Sequence, residues 1–289
     1  MDKTARACVS QVEAGWKPKV TALVPCYNSA TFISRTLDSL AAQTWDNLEI
    51  LVGEDNSTDE TFEIVSAFAG GRDDVRIMRR TKNLGWLRNS NDLMANASGE
   101  LMFFAFHDDT IDPTYVEALV RALDGNPDAV LSFSDVEVIE LSGERAYWKF
   151  DLLSGLQSSL ARGRAMARQP HGWWIPNRGL FRASAFHRSG GIKPNSQGEF
   201  SADWTWLLHL SLLGGFIRVP ELLCHKHYRP GSISKLWDRT SVQRKALRAA
   251  GAREVWNSDA DLALRAFLAT YIALRPWHWV PRSLRHRRR

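Results

Sequence analysis

The sequence predicts an α/β fold built on a mostly parallel central sheet with helices on both faces. Three observations predict it. Apolar strand-like stretches and amphipathic helix-like stretches alternate four times between residues 19 and 106. The connections between successive strands are too long for hairpins, so the economical arrangement is a right-handed parallel βαβ sheet. Residues 101–106 (Leu-Met-Phe-Phe-Ala-Phe) form an unbroken apolar run, too short to span a membrane and bounded by polar residues. That is the pattern of a strand buried on both faces.

The elements follow in order. Residues 19–25 read as a first strand ending in a turn through Pro25, Cys26, Tyr27 and Asn28. Residues 31–43 place Phe32, Ile33, Leu37 and Leu40 at helical spacing. A second strand, 48–52, is closed by the acidic turn Glu54-Asp55-Asn56-Ser57-Thr58-Asp59. There Ser57 or Thr58 is expected to cap a helix running through Phe62, Ile64, Val65 and Phe68. A short third strand covers 75–78, and a loop from Asn83 through Arg88 enters a helix that stops at Ser98-Gly99. The Phe-rich strand then ends abruptly at His107-Asp108-Asp109. In the second half we expect a helix over 115–123, a strand over 129–138 and a polar, Arg-rich mobile loop over 155–169. A helix should open at Ser201 or Asp203 and close at Gly214-Gly215, followed by two short strands, 216–219 and 222–228, around Pro220. Helical patterns over 241–251 and 259–274 complete the chain. The expected organisation is an extension (1–17), a donor half (18–115), an acceptor half (116–240) and C-terminal helices with a basic tail (241–289).

The 289 residues, 44% hydrophobic and 24% charged, suit a soluble globular protein with ample core. Three widely spaced cysteines form neither a zinc pattern nor a disulfide framework, which points to a reducing cytoplasm. The first 17 residues lack the apolar core of a signal peptide, and no stretch has the length of a membrane span. The net charge of +5 is uneven, with Arg282, Arg285, Arg287, Arg288 and Arg289 in the tail, interleaved upstream with Trp277, Trp279, Val280 and Leu284. That mix suits the anionic inner face of a membrane, with plain solvation as the alternative; nucleic acid is not an expected partner.

In an open α/β sheet, ligands bind beyond the carboxyl ends of the strands. Adjacent carboxylates there repel unless positive charge lies between them, and a hard divalent cation carrying a diphosphate would supply it. The alternative for Asp108-Asp109 is a solvated turn capping the next helix. Neither Gly-x-Gly-x-x-Gly after the first strand nor a Walker loop is present, so a nucleotide would be held by side chains and a metal.

Five motifs stand in order: Val-Pro-Cys-Tyr-Asn (24–28), Leu-Asp-Ser-Leu-Ala-Ala-Gln-Thr-Trp (37–45), Glu-Asp-Asn-Ser-Thr-Asp (54–59), Asn83-x-Gly85 with Arg88-Asn89, and His107-Asp108-Asp109. Together they resemble the family 2 glycosyltransferases, inverting enzymes of the GT-A fold, over about residues 19–228. The resemblance implies that Pro25, Tyr27 and Asn28 flank the nucleobase and ribose, with Tyr27 stacking. It implies that Asp55 accepts from a base N–H and that Glu54 reaches the ribose, helix-terminus charge being the alternative for both. Asn83 and Arg88 would lie near the nucleotide, with a surface ion pair as the other reading of Arg88. Asp108 would face both nucleotide and metal, and Asp109 would bind Mn²⁺ or Mg²⁺. Where the family usually has Asp-x-Asp-Asp, this chain has Phe106 in the first position, so the ligand arrangement departs from the pattern. His225 or His227 stands where members bring a histidine back, a structural strand histidine being the alternative; for His107 a plain hydrogen-bonding role is expected.

Asp203 stands where the family has its catalytic base, after Gly190-Gly191, a role that capping its helix could accompany. Trp173, Trp174, Trp204 and Trp206 offer flat apolar area for sugar rings; one or two are expected at the acceptor site, with Trp173, Trp174 and Trp204 the candidates, and the rest buried. Residues 155–168 would be a lid over the donor or a simple connector. The implied activity moves a sugar from a nucleotide diphosphate, UDP-linked, to a saccharide or lipid-linked acceptor in surface polysaccharide or glycoconjugate assembly. A sugar-phosphate nucleotidyltransferase and a non-catalytic nucleotide-sugar or glycan binder are the alternatives.

Overall fold

The computed structural model describes residues 16–229, 231–232, 238 and 240–274. The expected basic tail and most of the N-terminal extension lie outside them. Four strands and three helices alternate as predicted: β1 (Val20–Cys26), α1 (Ile33–Ala41), β2 (Leu48–Glu54), α2 (Thr61–Ala69), β3 (Val75–Arg79), α3 (Trp86–Asn96) and β4 (Leu101–Phe104). They pair in parallel in the order β3-β2-β1-β4. Going from β1 to β2 to β3 the chain steps one way; from β3 to β4 it steps back across β1. With right-handed crossovers this places α1 and α2 on one face and α3 on the other, and makes the β1/β4 boundary the point where the strand order reverses. The turns after β1 and β4 therefore open into one crevice. Strands β1 and β4 have hardly an exposed side chain, which accounts for their continuous apolar runs.

The close approach of α3 to β2 depends on Gly53. Asn89 Nδ2 donates to the Gly53 carbonyl at 2.7 Å, and a Cβ at Gly53 would sit 2.4 Å from Asn89 Oδ1. Beyond β4 the sheet continues through the second half: β5 (Thr110–Ile111), α4 (Tyr115–Asp124), β6 (Ala129–Ile139), β7 (Arg145–Trp148), α5 (Ser159–Met166), a 3₁₀ turn (Ile175–Arg178), β8 (Leu180–Arg182), α6 (Ala183–Ser189), α7 (Ala202–Leu213) and β9 (Gly215–His227). Short β8 bridges β4 and β6 antiparallel to both, β9 runs parallel to β6, and β5 closes the edge. Helices α8 (Ser241–Trp256, opened by a Thr240/Gln243 capping box) and α9 (Leu262–Leu274) pack together, α8 also against α7.

Three local expectations change. The helix after β2 is not capped by Ser57 or Thr58. Asp59 does the tying instead, accepting from Thr61 N–H and Oγ1 with one oxygen and from Ala30 N–H with the other. Residues 155–169 are not a mobile loop but contain α5, because Arg162 is buried and donates to the carbonyls of Ser211, Leu156 and Gln157. An arginine that satisfies helix and loop carbonyls reads as polar in sequence and behaves as core. The two strands expected around Pro220 are one strand, β9, whose register against β6 shifts beside the proline; a bulge accommodates the missing N–H.

Candidate active site

Leu23 of β1 pairs with Phe104 of β4, so the chain beyond each strand leaves the sheet side by side. His107 fastens the two turns together, its Nδ1 3.0 Å from the Pro25 carbonyl. Its other nitrogen, Nε2, lies 3.1 Å from Arg229 Nη2 and therefore accepts, leaving the proton on Nδ1. Burial, the largest influence, pushes the imidazole pKa down.

Asp108 and Asp109 each carry an arginine. Arg229 Nε donates to Asp108 Oδ2 at 3.1 Å, and Arg178 Nε to Asp109 Oδ2 at 2.7 Å. The second pair is largely buried, with side-chain exposures of 11% for Arg178 and 6% for Asp109. Burial alone would raise the Asp108 carboxyl, but His107, Lys226, Arg229 and Arg178 outweigh it and hold it below the ordinary carboxylate range. The Arg178 guanidinium also lies 5.0 Å from the Phe106 ring centre and 5.1 Å from that of Trp174. Neither arginine stood out in the sequence. A buried arginine between Asn and Gly looks like any surface residue until β8 folds the turn before it against the end of β4.

Asp203 heads α7, and Asn177 Nδ2 donates to its Oδ2 at 3.3 Å. Burial pushes its carboxyl up to about 6, against the pull of the Trp204 N–H, Arg178 and Lys226. One 3₁₀ turn thus touches both predicted centres, Asn177 on the candidate base and Arg178 on the Asp-Asp turn. A carboxylate with a pKa of about 6 is poised to take a proton near neutral pH.

The other predicted residues separate into two groups. Asn28 adopts a left-handed φ of 46° and cross-links the two donor-side turns: its N–H donates to Ser57 Oγ and its Oδ1 accepts from Thr58 N–H. Tyr27 beside it is 39% exposed, as a stacking platform must be. Asp55 accepts from the Leu84 and Gly85 N–H groups at 2.8 and 2.9 Å and so fixes the Asn83 loop to the end of β2. Asn83 Oδ1 accepts from the Gly85 N–H, and Arg88 is exposed on the first turn of α3 with no polar partner among the described residues.

Glu54 does not reach out to a ribose. It is fully buried, takes the Ser57 N–H at 2.6 Å and lies 3.7 Å from Arg79, so it shapes the turn. His225 does not face the Asp-Asp turn; its two nitrogens lie 3.0 Å from Glu137 and 3.0 Å from Asp112. His227 lies 3.4 Å from Thr110 Oγ1, its pKa pushed down by burial. Trp204 is core rather than acceptor surface: it is wholly buried, and its indole N–H donates to the Met166 carbonyl. Trp206 is buried as well. Trp173 and Trp174 are half-buried, and Trp174 flanks Arg178.

The residues fit a pre-built cation cage poorly. No group of three His, Cys, Asp or Glu side chains arranged for a metal occurs among the described residues. Asp109 Oδ1 has no hydrogen-bond partner among the described residues, but the small cavity that Asp109 borders, lined also by Thr36, Ser39, Phe106 and Arg178, offers a cation no second carboxylate and already holds a guanidinium.

The family model for glycosyl transferase family 2 matches residues 21–184, more than half of the chain and all of the strands and turns just described up to β8. The chain belongs to glycosyl transferase family 2. Among curated relatives, it is 34% identical over 115 residues to the putative glycosyltransferase EpsH of Bacillus subtilis, covering 39% of this chain and 33% of EpsH. It is 35% identical over 104 residues to the hyaluronan synthase of Pasteurella multocida, covering 36% of this chain and 11% of that protein. The matches thus span a third or less of these longer relatives. Among solved structures, Staphylococcus aureus TarS 1-349 in complex with UDP-GlcNAc superposes with a TM-score of 0.69 at 18% identity, over 88% of this chain and 71% of that one. The mannosyltransferase PcManGT of Pyrobaculum calidifontis, in complex with GDP-Man and Mn²⁺, gives 0.53 at 18% identity, over 90% and 81%. The fold is the GT-A fold of these transferases, as expected. No helix among the described residues is long and apolar enough to cross a membrane.

Proposed function

We propose that this member of family 2 transfers a sugar from a nucleoside diphosphate donor, UDP-linked, to a hydroxyl of a saccharide or lipid-linked acceptor, with inversion. The observation that carries the reading is Asp203: a single carboxylate linked through Asn177 and Arg178 of one turn to the Asp-Asp turn, with its pKa raised to about 6. It takes the proton of the acceptor hydroxyl as that oxygen attacks the anomeric carbon. The bond from that carbon to the phosphate oxygen breaks, and the nucleoside diphosphate leaves with the electron pair. One in-line displacement inverts the centre. Asn177 holds the Asp203 carboxylate by its Oδ2, and Tyr27, Asn28, Asp55, Asn83 and Arg88 form the base and ribose end. Trp173 and Trp174 stand on the acceptor side. A UDP-linked donor is supported by the fold shared with the UDP-GlcNAc complex of TarS, and a polymer or glycoconjugate product by relatives named as hyaluronan and chondroitin synthases.

The test is turnover of UDP-, GDP-, dTDP- and ADP-sugars by the full chain, with the anomeric configuration of the product read by NMR. One donor should be consumed with inversion, and Asp203→Asn should slow it by about 10²- to 10⁴-fold. Equal turnover by Asp203→Asn, or a product with retained configuration, would refute the assignment.

A further inference from the structure

The Asp-Asp turn is already supplied with positive charge. Three cations, Arg178, Lys226 and Arg229, lie around two carboxylates, and Arg35 donates to the Asp108 carbonyl at 3.1 Å. Phe106 stands where the family pattern has a further carboxylate, and its ring centre lies 5.0 Å from the Arg178 guanidinium. Exchanging a carboxylate for an aromatic face removes a metal ligand and creates a seat for an arginine in the same change. Arg229 is seated in the same manner, 4.8 Å from the centre of the Phe32 ring, with His107 Nε2 accepting from its Nη2.

Most of the remaining ligand candidates are committed elsewhere, His227 keeping one nitrogen without a hydrogen bond among the described residues. Both nitrogens of His107 and both of His225 have partners, and Asp109 is nearly buried. The cations, by contrast, retain donors. Arg178 uses only Nε on Asp109, and its two Nη groups have no hydrogen bond among the described residues. Lys226 Nζ has none either; it lies 4.8 Å from the centre of the Tyr228 ring, and burial, then Arg178, pushes its pKa down. A planar guanidinium with both Nη groups unspent matches phosphate oxygens in shape and charge, and a neighbouring ammonium adds a point charge.

We infer that in this chain Arg178, Lys226 and Arg229 do the work expected of a divalent cation: they hold the donor's diphosphate and offset the charge it gains on leaving. This rests on the donor-site reading above, and it makes nucleotide binding independent of Mn²⁺ and Mg²⁺. The order of events is unchanged: the carbon–oxygen bond breaks, the electron pair stays on the diphosphate, and the proton of the acceptor goes to Asp203.

The experiment is calorimetric titration of UDP, GDP, dTDP and ADP into the EDTA-treated full chain, repeated with added Mn²⁺ and with added Mg²⁺. One nucleotide should bind in EDTA, with a Kd that either metal changes by less than about threefold. Arg178→Ala and Lys226→Met should each weaken that metal-free binding by about ten- to a hundredfold. Lys226 Nζ makes no hydrogen bond among the described residues, so Lys226→Met carries the test should the Asp109 partner prove necessary for folding. Binding that appears only with a metal would overturn the inference and leave the donor site standing. Binding in EDTA that Lys226→Met and a folded Arg178→Ala leave unchanged would also overturn it. No binding of any nucleotide under any condition would overturn both this inference and the donor-site reading.

Discussion

Replacing Asp203 by asparagine should remove activity and add stability. The Asp203 carboxyl is raised from 3.8 to about 6, chiefly by burial. A group whose native pKa lies above its unfolded value gives its full stability below the unfolded pKa and loses it as pH rises through the native one. Asp203 therefore costs the fold nothing below about pH 4 and reaches its full cost above about pH 6. A shift of roughly two units, at about 1.4 kcal/mol each, sets a ceiling of about 3 kcal/mol. The side chain retains partial access to solvent, which lowers the figure to about 1.5–3 kcal/mol. Asparagine has the same shape and still accepts the Trp204 N–H. Its N–H₂ replaces the oxygen that accepts from Asn177 Nδ2, so the Asn177 amide has to turn over, bringing its Oδ1, buried without a partner, to accept from the new donor.

The assay is thermal and urea unfolding of wild type and Asp203→Asn at pH 4 to 8. At pH 4 the two should coincide. At pH 7.5 the variant should melt higher, by about 2–5 °C for a chain of this size. Wild-type kcat/KM should fall below about pH 6, as the base becomes protonated in the free enzyme. A variant less stable than wild type at pH 7.5, or a stability difference that does not vary with pH, would refute the argument that burial sets the Asp203 pKa.

Four further substitutions separate binding from architecture. His225→Asn should lower stability by about 1–3 kcal/mol, since Asp112 and Glu137 lose the ring between them, while nucleotide titrations stay unchanged; a loss of nucleotide binding would return His225 to the site. Asp55→Asn places an amide N–H₂ against the Leu84 or Gly85 N–H and should weaken nucleotide binding about tenfold by loosening the Asn83 loop, seen as faster hydrogen exchange at residues 83–85. Trp204→Ala should cost about 3–5 kcal/mol of stability, whereas Trp174→Ala should leave stability within about 1 kcal/mol and raise the acceptor KM; the opposite pattern would exchange their roles.

The parallel half of the fold was legible because its signals are local. Apolar runs of strand length, helical spacing around Leu37 and Leu40, and turns after each strand combine with one handedness rule to place the Pro25 and Asp108 turns side by side. Residues whose surroundings come from far along the chain were harder to read. Glu54 and Asp55 are adjacent acids in one turn, yet one faces inward to Ser57 and Arg79 and the other ties down a loop thirty residues away. Arg162 and Trp204 misled for a shared reason. Their chemistry suggests a surface or a ligand, but a carbonyl supplied by another segment satisfies the polar edge and allows burial.

The same reasoning explains why the cations were missed and the carboxylates found. Asp108 and Asp109 come a few residues after β4, so the apolar run of that strand already places them at its carboxyl end. Arg178 reaches them only because β8 lies antiparallel between β4 and β6, with Phe181 facing Met102 on one side and Leu131 on the other. Gly179 makes that docking possible: a Cβ there would lie 2.4 Å from the Ser132 carbonyl. The turn that precedes it, Asn177 and Arg178, is thereby held against both Asp203 and Asp109. Position along β8, rather than any motif, puts a guanidinium at the Asp-Asp turn, and Phe106 is the one residue in the first half whose identity already registers its presence.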